Sequence, residues 1–243
     1  MNSVGIISIY QPNFFIETMK KSIALLLLIS INFFAQAQED FFYEMKVSTN
    51  LVEKESFYLE VNTNWKHVYN EVSWRRLGVA GMATQKINNW SLYGGLSTFY
   101  TFNKDIVNYL EIRPRIGLGL TTPIVDRLSL NQRLLGEWRN HFYSKENKNR
   151  SYTRSRYRVL LNYTIAENKE KQTAWKVKPS VEWYFTKNVA YGERFAESRR
   201  YTLMLSREFK NKDELSIGYR YENFIKLLEQ NKIGHLVLLE YSF

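Results

Sequence analysis

The stretch Leu128-Ser-Leu-Asn-Gln-Arg-Leu-Leu-Gly-Glu-Trp-Arg-Asn-His-Phe-Tyr143 decides the fold. Its even positions carry Leu128, Leu130, Leu134, Trp138 and Phe142. Its odd positions carry Ser129, Asn131, Arg133, Glu137, Arg139 and His141, with Leu135 the one apolar exception. Successive side chains of a β-strand leave on opposite faces, so the segment has one greasy face and one charged face.

The same period continues on both sides. Tyr157, Val159, Leu161, Tyr163 and Ile165 alternate with Arg154, Arg156, Arg158, Asn162 and Thr164. Trp175, Val177, Val181, Trp183 and Phe185 alternate with Lys176, Lys178, Ser180, Glu182 and Tyr184. Tyr201, Leu203, Leu205 and Phe209 stand against Arg200, Thr202, Ser206 and Glu208, and Leu215, Ile217, Tyr219 and Tyr221 against Ser216, Gly218, Arg220 and Glu222. Earlier runs lie at Phe57–Lys66, Trp74–Lys86, Trp90–Phe102 and Tyr109–Leu120. A period of two sustained this far predicts all-β, antiparallel structure. Short connections (Asn88-Asn89, Lys210–Asp213, the segment near Pro123) alternate with longer polar ones (His67–Ser73, Tyr143–Asn149, Lys187–Glu197, Asn223–Lys232). That alternation is the mark of an up-and-down barrel with tight turns at one mouth and long loops at the other. The expectation is a closed antiparallel up-and-down transmembrane β-barrel over residues 55–243, of about ten strands, with twelve as the alternative. Residues 38–54, whose run Phe41–Asn50 is strand-like, are expected to form a periplasmic lead-in or partial strand, because single-chain bacterial barrels usually have an even strand number.

Upstream, Met19-Lys20-Lys21 precedes an apolar run from Ile23 to Phe34 and then Ala35-Gln36-Ala37. A basic start, an apolar centre and a small-x-small site are the parts of a secretory signal peptide, in order. The expectation is a signal at residues 19–37 read through Ala35 and Ala37, cleavage after Ala37, and an unstructured upstream extension at residues 1–18. The mature chain then begins outside the cytoplasm, and the bacterial outer membrane is its expected location. Composition agrees. Zero cysteine excludes a disulfide scaffold, thiol chemistry and a Cys-ligated zinc site. The mean hydropathy of −0.40 excludes a helical membrane bundle but not a barrel, whose strands are only half apolar. The net charge of +10 raises nucleic-acid binding. However, aromatics and arginines occupy opposite strand faces, so bases cannot stack over the basic face, and that partner is rejected.

A soluble barrel turns its charges outward, whereas a membrane barrel turns them into the lumen. Three features favour the membrane version. Trp65, Trp90, Phe102, Trp138, Trp175 and Trp183 sit toward strand ends, as interfacial girdles do. The charged face mixes both signs and predicts a lumenal polar network of Glu111, Arg113, Arg115, Arg133, Glu137, Arg139, His141, Arg154, Arg156, Arg158, Glu182, Arg200, Glu208, Arg220 and Glu222. The chain ends on Val237, Leu239, Tyr241 and Phe243 in alternation, which resembles the C-terminal signal that the barrel assembly machinery reads in outer-membrane proteins. The implied partners are a lipid bilayer and that machinery.

The runs Gln132–Arg139, Arg154–Arg158, Val181–Phe185, Arg199–Leu203, Ile217–Arg220 and His235–Phe243 resemble domain of unknown function 2490. That family consists of predicted bacterial outer-membrane β-barrels without an assigned activity. The resemblance implies a fold and a compartment and supplies no catalytic residues.

Little in the sequence points to other chemistry. There are three histidines, His67, His141 and His235, with no metal-ligand spacing and no Gly-rich phosphate loop, so no metal or cofactor is expected. An outer-membrane lipid hydrolase is the enzyme alternative, needing a Ser beside a His and a carboxylate. His141 with Glu137, Ser144 and Ser151 are its only candidates, and a lumenal place for His141 is the stronger expectation. The arginine ladder has a structural reading, in which Arg–Glu pairs fill a narrow barrel, and a functional one, a small anion-favouring channel. A soluble periplasmic ligand-binding barrel is the remaining alternative.

Overall fold

The computed structural model describes residues 40–68, 74–103, 107–144, 149–168, 170–186, 197–225 and 232–243. The expected leader, residues 1–37 with Ala35 and Ala37, lies outside the described residues. The strands are β1 (Asp40–Glu53), β2 (Phe57–Val68), β3 (Trp74–Ile87), β4 (Trp90–Asn103), β5 (Tyr109–Val125), β6 (Leu128–Tyr143), β7 (Arg150–Asn168), β8 (Thr173–Thr186), β9 (Glu197–Glu208), β10 (Glu214–Ile225) and β11 (Lys232–Ser242). Each pairs with its chain neighbour, and β1 pairs with β11 to close the barrel. No helix occurs among the described residues.

Two expectations are corrected. Among the described residues the strand count is eleven, not ten or twelve, because residues 40–53 form a full wall strand rather than a lead-in. The barrel is also not wholly antiparallel: β1 and β11 run parallel, from Asp40↔Gly234 to Ser48↔Ser242. Parity is the reason. In a meander the first and last of an odd number of strands point the same way, so closure requires a parallel ladder. The alternative leaves two bare edges, each a row of unpaired backbone groups. The last residue joins this seam, as the Phe243 N–H donates to the Ser48 carbonyl at 3.1 Å.

Short connections at residues 54–56, 88–89, 126–127, 170–172 and 209–213 all lie at one mouth, which also holds the C-terminus. The β5–β6 turn falls at Asp126-Arg127, beyond Pro123. Pro123 stays inside β5 because the ladder shifts register between Pro123 and Val125, which accommodates a residue that cannot donate. Asn88, Arg127, Gln172 and Lys212 take positive φ at these tight turns.

The wall is polar inside and apolar outside. On β6, Leu135, Glu137, Arg139 and His141 are buried while Leu134, Trp138 and Phe142 are exposed. On β5, Glu111 and Arg113 are buried while Ile116 and Leu118 are exposed. Outward aromatics gather near both mouths: Trp65, Tyr100, Trp138 and Phe185 toward the long connections, Trp90, Tyr163, Trp175 and Tyr241 toward the short turns. Aliphatic residues such as Leu96, Ile116, Leu134, Leu203 and Val237 occupy the zone between.

Candidate functional site

Each inward strand position faces its neighbours' inward positions, so the ladder register determines which charges meet. Glu182 stands directly between Arg158 and Arg200, Glu137 between Arg115 and Arg154, and Glu222 opposite Arg200. From these positions the side chains form a belt around the lumen. Glu111 accepts from Arg139 (Nε 2.5 Å, Nη2 2.9 Å), from Arg113 Nε at 2.8 Å and from Arg76. Glu137 accepts from Arg154 Nε at 2.8 Å and Arg156 Nη1 at 2.8 Å, with Arg113 Nη1 at 3.7 Å. Glu182 accepts from Arg156 Nη2 at 2.8 Å and from the Tyr184 hydroxyl at 2.8 Å. Glu222 accepts from Arg200 and lies 3.8 Å from Lys66 Nζ. Lys66 is in turn the cross-strand partner of Arg76, which closes the ring.

Aromatic rings complete the belt. β4 brings no charge to this level. Its Phe99 instead lies between the Arg76 and Arg113 guanidiniums, each 4.5 Å from the ring centroid. Tyr184 on β8 serves Arg154, Arg156 and Arg200 at 4.5, 4.8 and 4.4 Å. A buried ion pair repays its desolvation only when geometry is good and the remaining donors and acceptors are met. Sharing each carboxylate among two or three cationic groups, and stacking the guanidiniums on rings, meets that condition.

The two sides of the belt differ. Toward the long connections the lumen is filled by Phe42, Val68, Trp74, Tyr109, Tyr152 and Leu236, all buried. His141 stacks on Tyr152 (centroids 5.5 Å apart, planes 6° apart), packs against Tyr109 at 5.4 Å and holds Nε2 3.8 Å from Glu111. Toward the short turns lies a cavity of about 520 Å³, lined by Lys46, Tyr58, Glu60, Tyr93, Arg115, Arg133, Arg158 and Lys178 among others. Exposure rises in that direction, from 0% at Glu111 and Glu137 to 29–31% for the Lys46–Glu60 pair.

All the charged residues named from the sequence face inward, but not all join the belt. Glu208 pairs with Lys176 near the short-turn mouth. Arg220 donates to Glu44 at 3.0 Å and to Thr202 at 3.1 Å. Arg115, Arg133 and Arg158 stand on the cavity side. Lys66, Arg76, Glu44, Phe99 and Tyr152 are partners outside the network expected from the sequence, and Tyr184, expected on the polar face, is a further one. Lys66 and Arg76 occupy the inward phase of β2 and β3, after Asn62 and Asn64 and before Gly78 and Ala80, and that phase was their only signal. Ser151 and His141 are not brought together: the Ser151 hydroxyl donates to Asn140 at 2.7 Å on the outer face while His141 points inward. Val237, Leu239, Tyr241 and Phe243 form an exposed outward row. Among the described residues, no group of three or more His, Cys, Asp or Glu side chains is placed to hold a metal ion, and no helix is long and apolar enough to cross a membrane.

Comparison with known families finds one model, described as "Protein of unknown function (DUF2490)", matching residues 39–227. No curated protein matches the chain.

Proposed function

The chain belongs to the DUF2490 family of proteins of unknown function, and from that premise we propose that it is a bacterial outer-membrane β-barrel whose lumen is closed by its own Arg–Glu belt. Inverted polarity carries this reading: side chains such as Ile116, Leu134 and Val237 cover the outside while Arg139, Glu111 and Glu137 are buried within. Water would reward the opposite arrangement. Dimensions support it. The shortest strand has 11 residues and the longest 19, against about 9–11 needed to span a bilayer. Trp90 and Tyr100 are ten residues apart on β4. At about 3.3 Å per residue and a tilt of about 40°, that separation corresponds to an apolar band about 25 Å tall.

Fractionation tests the location. The chain is expected in outer-membrane fractions and to need detergent for release; folded chain in the soluble periplasmic fraction would overturn the membrane reading in favour of a soluble ligand-binding barrel. Planar bilayers test the lumen. The reconstituted chain is expected to pass no step currents, because the belt side chains are nearly all buried and bulky buried side chains pack above them. The excess of lumenal cations favours a second reading, a small anion-selective channel, and anion-selective steps would establish it.

The outward C-terminal row is the segment offered to the barrel assembly machinery. Phe243→Ala keeps the backbone N–H that bonds Ser48 and removes only the ring. Immunoblots of outer-membrane fractions are expected to show a several-fold lower level, and an unchanged level would remove Phe243 from that role. A lipid hydrolase that pairs His141 with Ser151 has the geometry against it, since Ser151 lies on the other face. Lipase activity lost on His141→Ala would overturn the non-enzymatic assignment.

A further inference from the structure

Arg115, Arg133 and Arg158 stand on consecutive strands β5, β6 and β7 and all line the 520 Å³ cavity. Arg133 and Arg158 are direct cross-strand partners, and two like charges in that relation destabilise a sheet. The belt does not resolve this. Among the described residues, Arg115 and Arg158 make no ion pair, and Arg133 reaches only Glu182, at 3.7 Å. The Nε of each of the three is buried without a hydrogen-bond partner, whereas buried donors in folded proteins are almost always satisfied. The cavity wall as a whole carries twelve Lys or Arg against five Glu. Adding the three belt glutamates behind it, Glu111, Glu137 and Glu222, still leaves an excess of four cations.

The neighbouring backbone makes room at this spot. Inward positions 117 and 119 of β5 are glycine. A Cβ at Gly117 would meet the Leu134 carbonyl at 2.3 Å, and one at Gly119 the Tyr93 hydroxyl at 2.6 Å. β5 therefore lies close against β6, and the Tyr93 phenol crosses Gly119 into the same cavity. The result is a space of ordinary ligand-site size whose wall carries three guanidiniums and the Tyr93 hydroxyl.

We propose that the short-turn half of the lumen binds a small soluble polyanion of the oligophosphate class, held by Arg115, Arg133 and Arg158. Guanidinium groups match phosphate oxygens two at a time, and a row of adjacent phosphates sets several negative charges along a wall that carries three of them. The closed-lumen reading enters only in the direction of access, from the short-turn mouth, so binding in micelles and conductance in bilayers fail independently.

The test is calorimetric titration of the detergent-solubilised full chain with tripolyphosphate at fixed ionic strength, with sulfate in a parallel arm. The expected result is saturable binding of one tripolyphosphate per chain, weakened at least tenfold in R115Q, in R158Q and in the triple glutamine variant, with sulfate far weaker. Without ligand, the triple variant is expected to unfold at the same or higher urea concentration than the native chain, because no carboxylate loses its main partner and like charges are relieved. No binding, equal binding of sulfate, or unchanged binding in the variants would overturn the site. A triple variant that unfolds at markedly lower urea would assign the three arginines a structural role instead and likewise overturn it.

Discussion

Replacing Glu137 by Ala lowers stability by about 3–5 kcal/mol, the cost of removing one partner from a buried ionic cluster. Glu137 is fully buried and joins three guanidiniums, Arg113, Arg154 and Arg156. Its loss falls unequally on them. Arg156 keeps Glu182 and Arg113 keeps Glu111, whereas Arg154 loses the carboxylate to which both its Nε and Nη2 donate. The remaining cations then repel one another across β5, β6 and β7 with little water to screen them. Urea-unfolding midpoints of the refolded barrel measure the effect. Glu208→Gln is the internal control. Its pair with Lys176 is 34% and 21% exposed at the two side chains, and a pair in contact with solvent contributes about 1 kcal/mol or less. If the two variants lose equal stability, the belt is not what holds the lumen together. A double-mutant cycle of Glu137→Gln with Arg154→Gln isolates the coupling between these two side chains.

The architecture was legible where one physical rule acted alone. On β6 and β7 the alternation is broken only by Leu135 between Arg133 and His141 and not at all between Arg154 and Arg158, so both inward sets could be read directly. β1 failed for a different reason. Tyr43, Met45 and Val47 alternate with Phe42, Glu44 and Lys46 as cleanly as any strand, but the ladder shifts between Asn50 and Val52 and breaks the period after four pairs. The preference for even strand numbers then outweighed a correct local signal. A parallel seam has no residue signature, because it follows from counting strands around the circle. The belt was half legible for a similar reason. Charges alternate in sequence and can be placed on a face, but the Phe99 and Tyr184 contacts depend on which strands meet across the sheet. An aromatic on the inward phase looks like any other polar-face exception, as Leu135 does. The three cavity arginines could be seen as lumenal, yet nothing in the sequence distinguished them from the paired ones, since pairing is decided by side-chain reach across two or three strands.

Ile116→Arg separates a lipid-facing wall from a water-facing one. Ile116 is 73% exposed at the middle of β5, and its cross-strand partners are Gly94 and Gly136. No side chain stands directly opposite it on either strand, so steric conflict contributes little. On a surface in water such a change stays within about 0.5 kcal/mol. In a bilayer it places a guanidinium near the midplane, about 12 Å from either interface if the apolar band is about 25 Å tall. An arginine side chain cannot snorkel that far, and the expected loss is about 2–4 kcal/mol. Ile124→Arg, at the short-turn end of the same strand and also outward and exposed, lies where the head group can reach water, and it should cost about 0–1 kcal/mol. Both are measured as urea midpoints of the barrel refolded into phosphatidylcholine vesicles. The depth dependence carries the test, because a packing defect or a change of strand propensity would act at both positions alike. Equal losses at the two sites, or none at Ile116, would mean that the outer face does not meet lipid.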